Sequence, residues 1–324
     1  MHSFLLRRAM PALAITLLLT ACGGGDSPAA GSAGTPLGSA NRESAATDTL
    51  GLTVDGSLAT SLNGYYVPAA TVAAASSGPD PRFSLRTLGT VLQRQAQESP
   101  SPAPGPAIPS PLGVATTDST SETTACPGGG SYTVTSGTGN AVWVYSACVD
   151  GEGITLNGQV TSQQLDDVSY QGDFSAFSVT VPDTPTVRVQ GRLVYSSNAT
   201  ATELTSPQLR LSIDNVFTLT LSDYLLRITD EGTQTKLEAR GQALSGGAIS
   251  YHVRFDNTAS GDTDQAPFYL NDGDLYPYTG SLEIQDTLSG SRIIVSALDN
   301  TQVLITYKIG SQAELVAKSW SELL

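Results

Sequence analysis

The sequence predicts a mainly β protein. Its body is a single antiparallel meander over residues 124–324, a curved sheet, half-barrel or barrel-like form, preceded by a short helix and low-complexity linkers. Three observations carry the prediction. Apolar and polar residues alternate in runs such as Leu209/Leu211/Ile213, Phe217/Leu219/Leu221 and Ile249/Tyr251/Val253/Phe255, which is the period of a half-buried strand. Gly158, Gly191, Gly241 and Gly280 fall inside such runs, at uneven spacing that excludes a solenoid or propeller repeat. Glycine within a strand marks a bulge or tight bend, so a strongly curved sheet is expected. Beyond residue 124 there is also no long helical pattern of the kind that crossovers in a parallel sheet require.

The elements follow in chain order. Residues 1–8 are basic through Arg7 and Arg8, residues 9–19 are apolar, and the small Ala21 precedes Cys22. A charged, an apolar and a small-residue part in that order make residues 1–21 an export signal. A spanning helix needs about 20 apolar residues. This run is shorter, contains Pro11 and ends in Gly23-Gly24-Gly25. Leu19-Thr20-Ala21-Cys22 resembles a bacterial lipobox. The resemblance implies cleavage before Cys22, a diacylglyceryl group on its thiol and, because Gly23 rather than an aspartate follows, residence in the outer membrane. Two or more acyl chains make such an anchor stable.

Residues 22–48 read as a flexible tether with an end-to-end spread near 25–30 Å. Residues 49–98 form a small N-terminal segment. Modest alternation at Leu50, Leu52 and Val54, with Tyr65-Tyr66 beyond, predicts an outlying strand pair. Ser84 then caps a helix over 85–98, with Leu85, Leu88, Val91, Leu92 and Gln95 on the face that docks on the β body. Residues 99–123 are a semi-rigid linker rich in Pro, Ser and Thr.

In the β body, strand-like residues 132–135 and 141–145 flank the turn cluster 136–140. A hairpin centred on Gly137 places Cys126 opposite Cys148, predicting a structural disulfide. Closing that loop restricts the unfolded chain by roughly 3 kcal/mol, and such bonds persist in oxidising compartments. A redox-active pair would call for closer Cys-x-x-Cys spacing.

Composition bounds the partners. Removing residues 1–21 leaves 14 Lys+Arg against 30 Asp+Glu, a net charge of −16. Such a surface repels nucleic acid, so no nucleic-acid partner is expected. Conventional catalytic and metal motifs are missing. His252, the only histidine after the signal, lies on a polar strand face between Ser250 and Arg254; a solvated histidine is expected there rather than a general base. There is no Gly-x-Ser-x-Gly elbow, no phosphate-cradling loop and no His/Cys set for zinc, so no cofactor is expected. Asp256, Asp262 and Asp264 share a loop, as do Asp272 and Asp274. They are weak Ca²⁺ candidates that lack the Asp-x-Asp-x-Asp-Gly pattern, and turn aspartates are the expectation. A carboxylate-pair hydrolase needs only two acids across a cleft, and it is the one enzyme class left open. A transmembrane barrel needs strands of about 9–11 residues with a lipid-facing side, longer than many of these runs. Trp320 is read as a core plug, with ligand stacking as the alternative.

Lipobox, spacer, cysteine hairpin, glycine-punctuated strands and the ending Trp320-Ser321-Glu322-Leu323 together resemble a group of proteobacterial outer-membrane and periplasmic lipoproteins of uncharacterised activity. Many members carry an acidic Asp/Gly-rich turn before the last strand, which Lys308-Ile309-Gly310-Ser311-Gln312 lacks, and the resemblance implies no activity. The expected function is a membrane-anchored, non-catalytic structural or binding domain whose partner is an envelope protein or an apolar ligand. In the carrier alternative the ligand lies in the concave face, with Phe174, Phe177, Leu225, Leu226, Ile293 and Ile294 as two-sided lining.

Overall fold

Alternation resolves into fifteen antiparallel strands in one sheet that follows chain order as a meander and is not closed into a regular barrel. The computed structural model describes residues 34–54, 85–98 and 120–324, the last apart from 138, 152, 183–184, 214–216, 248 and 259–263. The first strands are β1 (Thr120–Ala125), β2 (Ser131–Ser136), β3 (Ala141–Val149), β4 (Thr155–Gln164) and β5 (Ser169–Thr180). Then come β6 (Val187–Ser197), β7 (Ala201–Ile213), β8 (Phe217–Asp230), β9 (Gln234–Gly247) and β10 (Tyr251–Asp256). The last are β11 (Ala266–Asn271), β12 (Thr279–Asp286), β13 (Arg292–Ala297), β14 (Gln302–Ile309) and β15 (Gln312–Ser319). Among the described residues two α-helices precede them, α1 (Arg42–Val54) and α2 (Leu85–Glu98).

The strands are longer than the sequence suggests, because bulges slip the alternation. On β8 the buried positions run Phe217, Leu219, Leu221 and then Tyr224, Leu226, with Asp223 at φ +51° absorbing the slip. On β5 they run Phe174 and then Phe177, across Ala176 at φ +51°. On β3 they run Trp143, Tyr145 and then Cys148, across Ala147 at φ +47°. Neighbouring strands keep their phase and carry a glycine at the slip. Gly158 on β4 (φ +92°) lies so close to β5 that a β-carbon there would sit 2.0 Å from the Ala176 carbonyl oxygen. Gly191 and Gly241 occupy the matching in-phase places on β6 and β9. Bulge facing glycine, repeated across the sheet, makes a seam along which long strands bend. This is the curvature the sequence predicts, and it gathers the inward side chains into one core.

The concave face is filled by the two helices. α2 docks against β4 to β7 with Leu85, Leu88, Val91, Leu92 and Gln95 buried, as the spacing predicts; Ser84 lies outside the described residues. α1 replaces the end of the expected tether and the start of the expected strand pair. Nine successive residues, Ala45 to Thr53, are buried against β9, β10, β12 and β13. A helix enclosed on all sides has no polar face to announce it. Its threonines are satisfied internally: Thr49 Oγ1 donates to Ala45 O at 2.6 Å and Thr53 Oγ1 to Thr49 O at 2.7 Å. Two hydroxyls from the sheet reach in, Tyr251 donating to Asp48 Oδ2 at 2.5 Å and Tyr224 to Leu52 O at 2.8 Å.

The last strand of the meander is fastened to α1. Arg42 pairs with Glu314 of β15 at 2.7 Å and stacks over the Tyr307 ring, and Glu43 pairs with Lys318. Inward charges of this kind blunt an edge strand. β10 and β11 lie end to end in one row between β9 and β12. Buried Asn257 holds the join by accepting from Ala239 N at 2.5 Å and donating to Leu237 O at 3.1 Å. Trp320 closes the core as a plug: it is fully buried, its Nε1 donates to Asp299 O at 2.9 Å, and it stacks on Tyr276.

Candidate functional site

The cysteine pair is joined, with Cα atoms 5.4 Å apart, but not across the register the sequence suggests. β2 and β3 pair as Val134 with Trp143 and Ser136 with Ala141, so the turn centres between residues 138 and 139 rather than on Gly137. Cys126 follows β1, in the β1–β2 turn, and that turn folds over the end of β3. Gly128 N donates to Val149 O, and Val149 N to Gly129 O, each at 2.9 Å. The bulge at Ala147 brings Cys148 to face the turn, and Asn157 Oδ1 holds the bulge by accepting from Ala147 N at 2.7 Å. Turn and bulge together make up the three-residue difference in register.

Beside this disulfide lies a cleft of about 450 Å³ between α2, the β1–β2 turn and the ends of β3 and β4. Val91, Leu156, Pro127 and the disulfide itself give it apolar walls, and Tyr132 and Tyr145 give it aromatic ones. Those tyrosines belong to an aromatic row, with Tyr132 5.4 Å from Trp143 and Tyr145 5.9 Å from Phe177 between ring centroids. Its polar lining includes Gln95, Arg94 and Asp150. Gln95 Nε2 donates to the Tyr145 hydroxyl at 2.8 Å, and Arg94 stands 3.8 Å from the Asp150 carboxylate. Its size is within the range of small-molecule sites. Among the described lining residues Asp150 is the one carboxylate and no histidine is present.

The other sequence-predicted residues are scattered. Cys22, Asp262, Tyr65 and Tyr66 lie outside the described residues. His252 is half-buried on β10, with its carbonyl accepting from Thr287 N at 3.1 Å. Asp256 accepts from Thr258 N and Oγ1 at 2.8 Å, and Asp264 lies 3.5 Å from Lys308, so both are engaged in local structure. Asp274 accepts from Asn271 and Asn300, and these bonds hold its carboxyl below the usual range. Among the described residues no group of three potential metal ligands converges. Phe174 and Phe177 do not line two faces: the bulge between them turns both into the core, 5.3 Å apart. Ile293 faces the core, whereas Ile294 is buried outside the main cluster.

Sequence reasoning missed the buried Asp48–Tyr251 pair. Burial first, and then the Asp48 charge, push the Tyr251 hydroxyl well above its ordinary pKa, so it stays a proton donor. It also missed the cleft, because α2, the turn and the bulge come together only in three dimensions. No helix among the described residues is long and apolar enough to cross a membrane. Set against known proteins, the chain matches no family model, no curated protein and no solved structure.

Proposed function

We propose that this chain is a lipid-anchored bacterial envelope protein, held in the outer membrane through Cys22, whose β body is a non-catalytic structural and binding module. The observation that carries the reading is the seat of α1. From Gly34, twelve residues after Cys22, the chain is built into the sheet. Thr35 hydroxyl and Ser250 hydroxyl lie 2.6 Å apart, Leu37 N donates to Asp286 at 2.9 Å, and α1 fills the core behind them. The Cys126–Cys148 bridge supports an oxidising compartment. The experiment is fractionation of cells expressing wild-type and Cys22→Ser protein, with acyl-chain labelling. Wild type is expected in the membrane fraction and labelled, and the variant soluble and unlabelled. Unlabelled wild type, or a variant that stays with the membrane, contradicts the reading.

The cleft favours a second reading, a carrier or sensor of a small apolar ligand. With α1 and α2 occupying the concave face, the ligand is assigned to the 450 Å³ opening beside the disulfide rather than to the concavity. Cys22→Ser protein purified without detergent is expected to yield a stoichiometric apolar compound on organic extraction and mass spectrometry. An empty extract removes the carrier reading and leaves the anchored structural module.

A further inference from the structure

We infer that the sheet end bearing the β9–β10 and β12–β13 turns rests on the bilayer, with Ile249 and Leu288 dipping into its interfacial layer; this rests on the lipid-anchor reading and adds an orientation and a contact surface to it. Three observations converge on that end.

The first is where the anchored chain arrives. Gly34 packs on the backbone of Tyr251 and His252, Thr35 N donates to Ser250 Oγ at 3.2 Å, and Asn41 Nδ2 donates to Ser250 O at 2.8 Å. Cys22 is twelve residues earlier. Twelve residues span at most about 40 Å. That length bounds how far this end of the sheet can stand from an acylated Cys22.

The second is what that end presents. Ile249 is 42% exposed and Leu288 48% exposed, at the tips of neighbouring turns, since β10 pairs with β12.

The third is charge. Residues 247–250, 287–291 and 310–311, the three turns of this sector, contain no charged residue in a chain of net charge −14. Asp286 at their border is buried and accepts from Leu37, Leu288 and Ser289. Arg292 and Lys308 behind them are paired with Glu283 and Asp264. At the opposite end of the same strands, turns 230–234, 271–279 and 297–302 carry Asp230, Glu231, Asp272, Asp274 and Asp299 and no Lys or Arg. An anionic bilayer repels that rim and tolerates the neutral sector, so electrostatics turns the body the same way the tether does.

The test uses full-length lipidated protein carrying Leu288→Trp or, at the far end, Leu275→Trp, where Leu275 is 81% exposed. Each is reconstituted into phosphatidylethanolamine/phosphatidylglycerol vesicles with and without brominated acyl chains. The native Trp143 and Trp320 are buried and give a common background. Bromine is expected to remove about half of the added emission at 288, as for a side chain seated in the acyl–headgroup boundary, and none at 275. Equal quenching at both sites, or none at 288, overturns the proposal. Hydrogen exchange of the unsubstituted protein gives an independent readout. Residues 247–250 and 286–291 are expected to exchange more slowly in vesicles than in soluble Cys22→Ser protein, and unchanged exchange there also overturns it. Wild-type protein that does not float with the vesicles refutes the anchor and the orientation together. Protein that floats with no signal at 288 refutes the orientation alone.

Discussion

Gly158→Ala is expected to destabilise the fold far more than Gly232→Ala, although the two glycines share almost the same φ, +92° and +91°. The shared part is the cost of placing an alanine at positive φ, about 1–2 kcal/mol. The difference lies in the surroundings. At Gly232, in the β8–β9 turn, a β-carbon would meet nothing within 4 Å. At Gly158 it would lie 2.0 Å from the Ala176 carbonyl oxygen and 3.0 Å from the Phe177 α-carbon. Both contacts are backbone, so no side-chain rotation relieves them, and β4 must move away from β5 at the point where the seam bends the sheet. Overpacking of this kind adds about 3 kcal/mol or more to the conformational cost. Urea unfolding followed by circular dichroism checks it. Gly232→Ala should lower the midpoint slightly, and Gly158→Ala should lower it severalfold further or leave protein that does not fold. Equal midpoints for the two variants would mean that the bulge–glycine seam does not constrain the sheet.

That seam also explains how much of the fold the sequence discloses. Period-two alternation shows that Leu209, Leu211, Phe217, Leu219 and Leu221 face inward, and they do. In-phase glycines disclose the curvature. What alternation hides is strand length, because a bulge at Asp223 or Ala176 reverses the phase, and a reader following parity ends the strand there. The same effect hides the disulfide register. The pair Cys126–Cys148 is legible from compartment and spacing, while the turn and the Ala147 bulge that align it are non-local. α2 is legible to the residue because it is half-exposed, so that Leu85, Leu88, Val91 and Leu92 stand out against Arg86 and Arg94. The cleft beside it is illegible for the opposite reason. Its walls come from residues 91–95, 124–132, 145–150 and 156, which no local pattern joins.

Truncating α1 from within is expected to be as damaging as removing a strand. The helix carries the weakest signal in the described chain: Arg42–Val54 mixes Ala, Thr, Gly and Leu with no apolar stripe. Threonine and glycine are poor helix formers, so α1 has little reason to form alone. Its stability is tertiary. Leu50 and Leu52, 1% and 0% exposed, point to opposite sides of the helix and are both enclosed, because the curved sheet surrounds what lies in its concavity. Leu50→Ala and Leu52→Ala are therefore each expected to cost about 2–5 kcal/mol, the range for a buried leucine whose cavity cannot collapse. The polar contacts add directionality. Tyr251→Phe removes the hydroxyl that donates to Asp48 in a dry interior, and is expected to cost about 1–3 kcal/mol. Deleting residues 34–54 outright would leave Tyr224, Tyr251, Ile293 and Val295 facing an empty concavity. That protein is expected to lose its cooperative unfolding transition and to bind a hydrophobic dye, the behaviour of a sheet without a fixed core. Cooperative unfolding at the wild-type midpoint after the deletion would show that α1 is an accessory to the sheet and not its core.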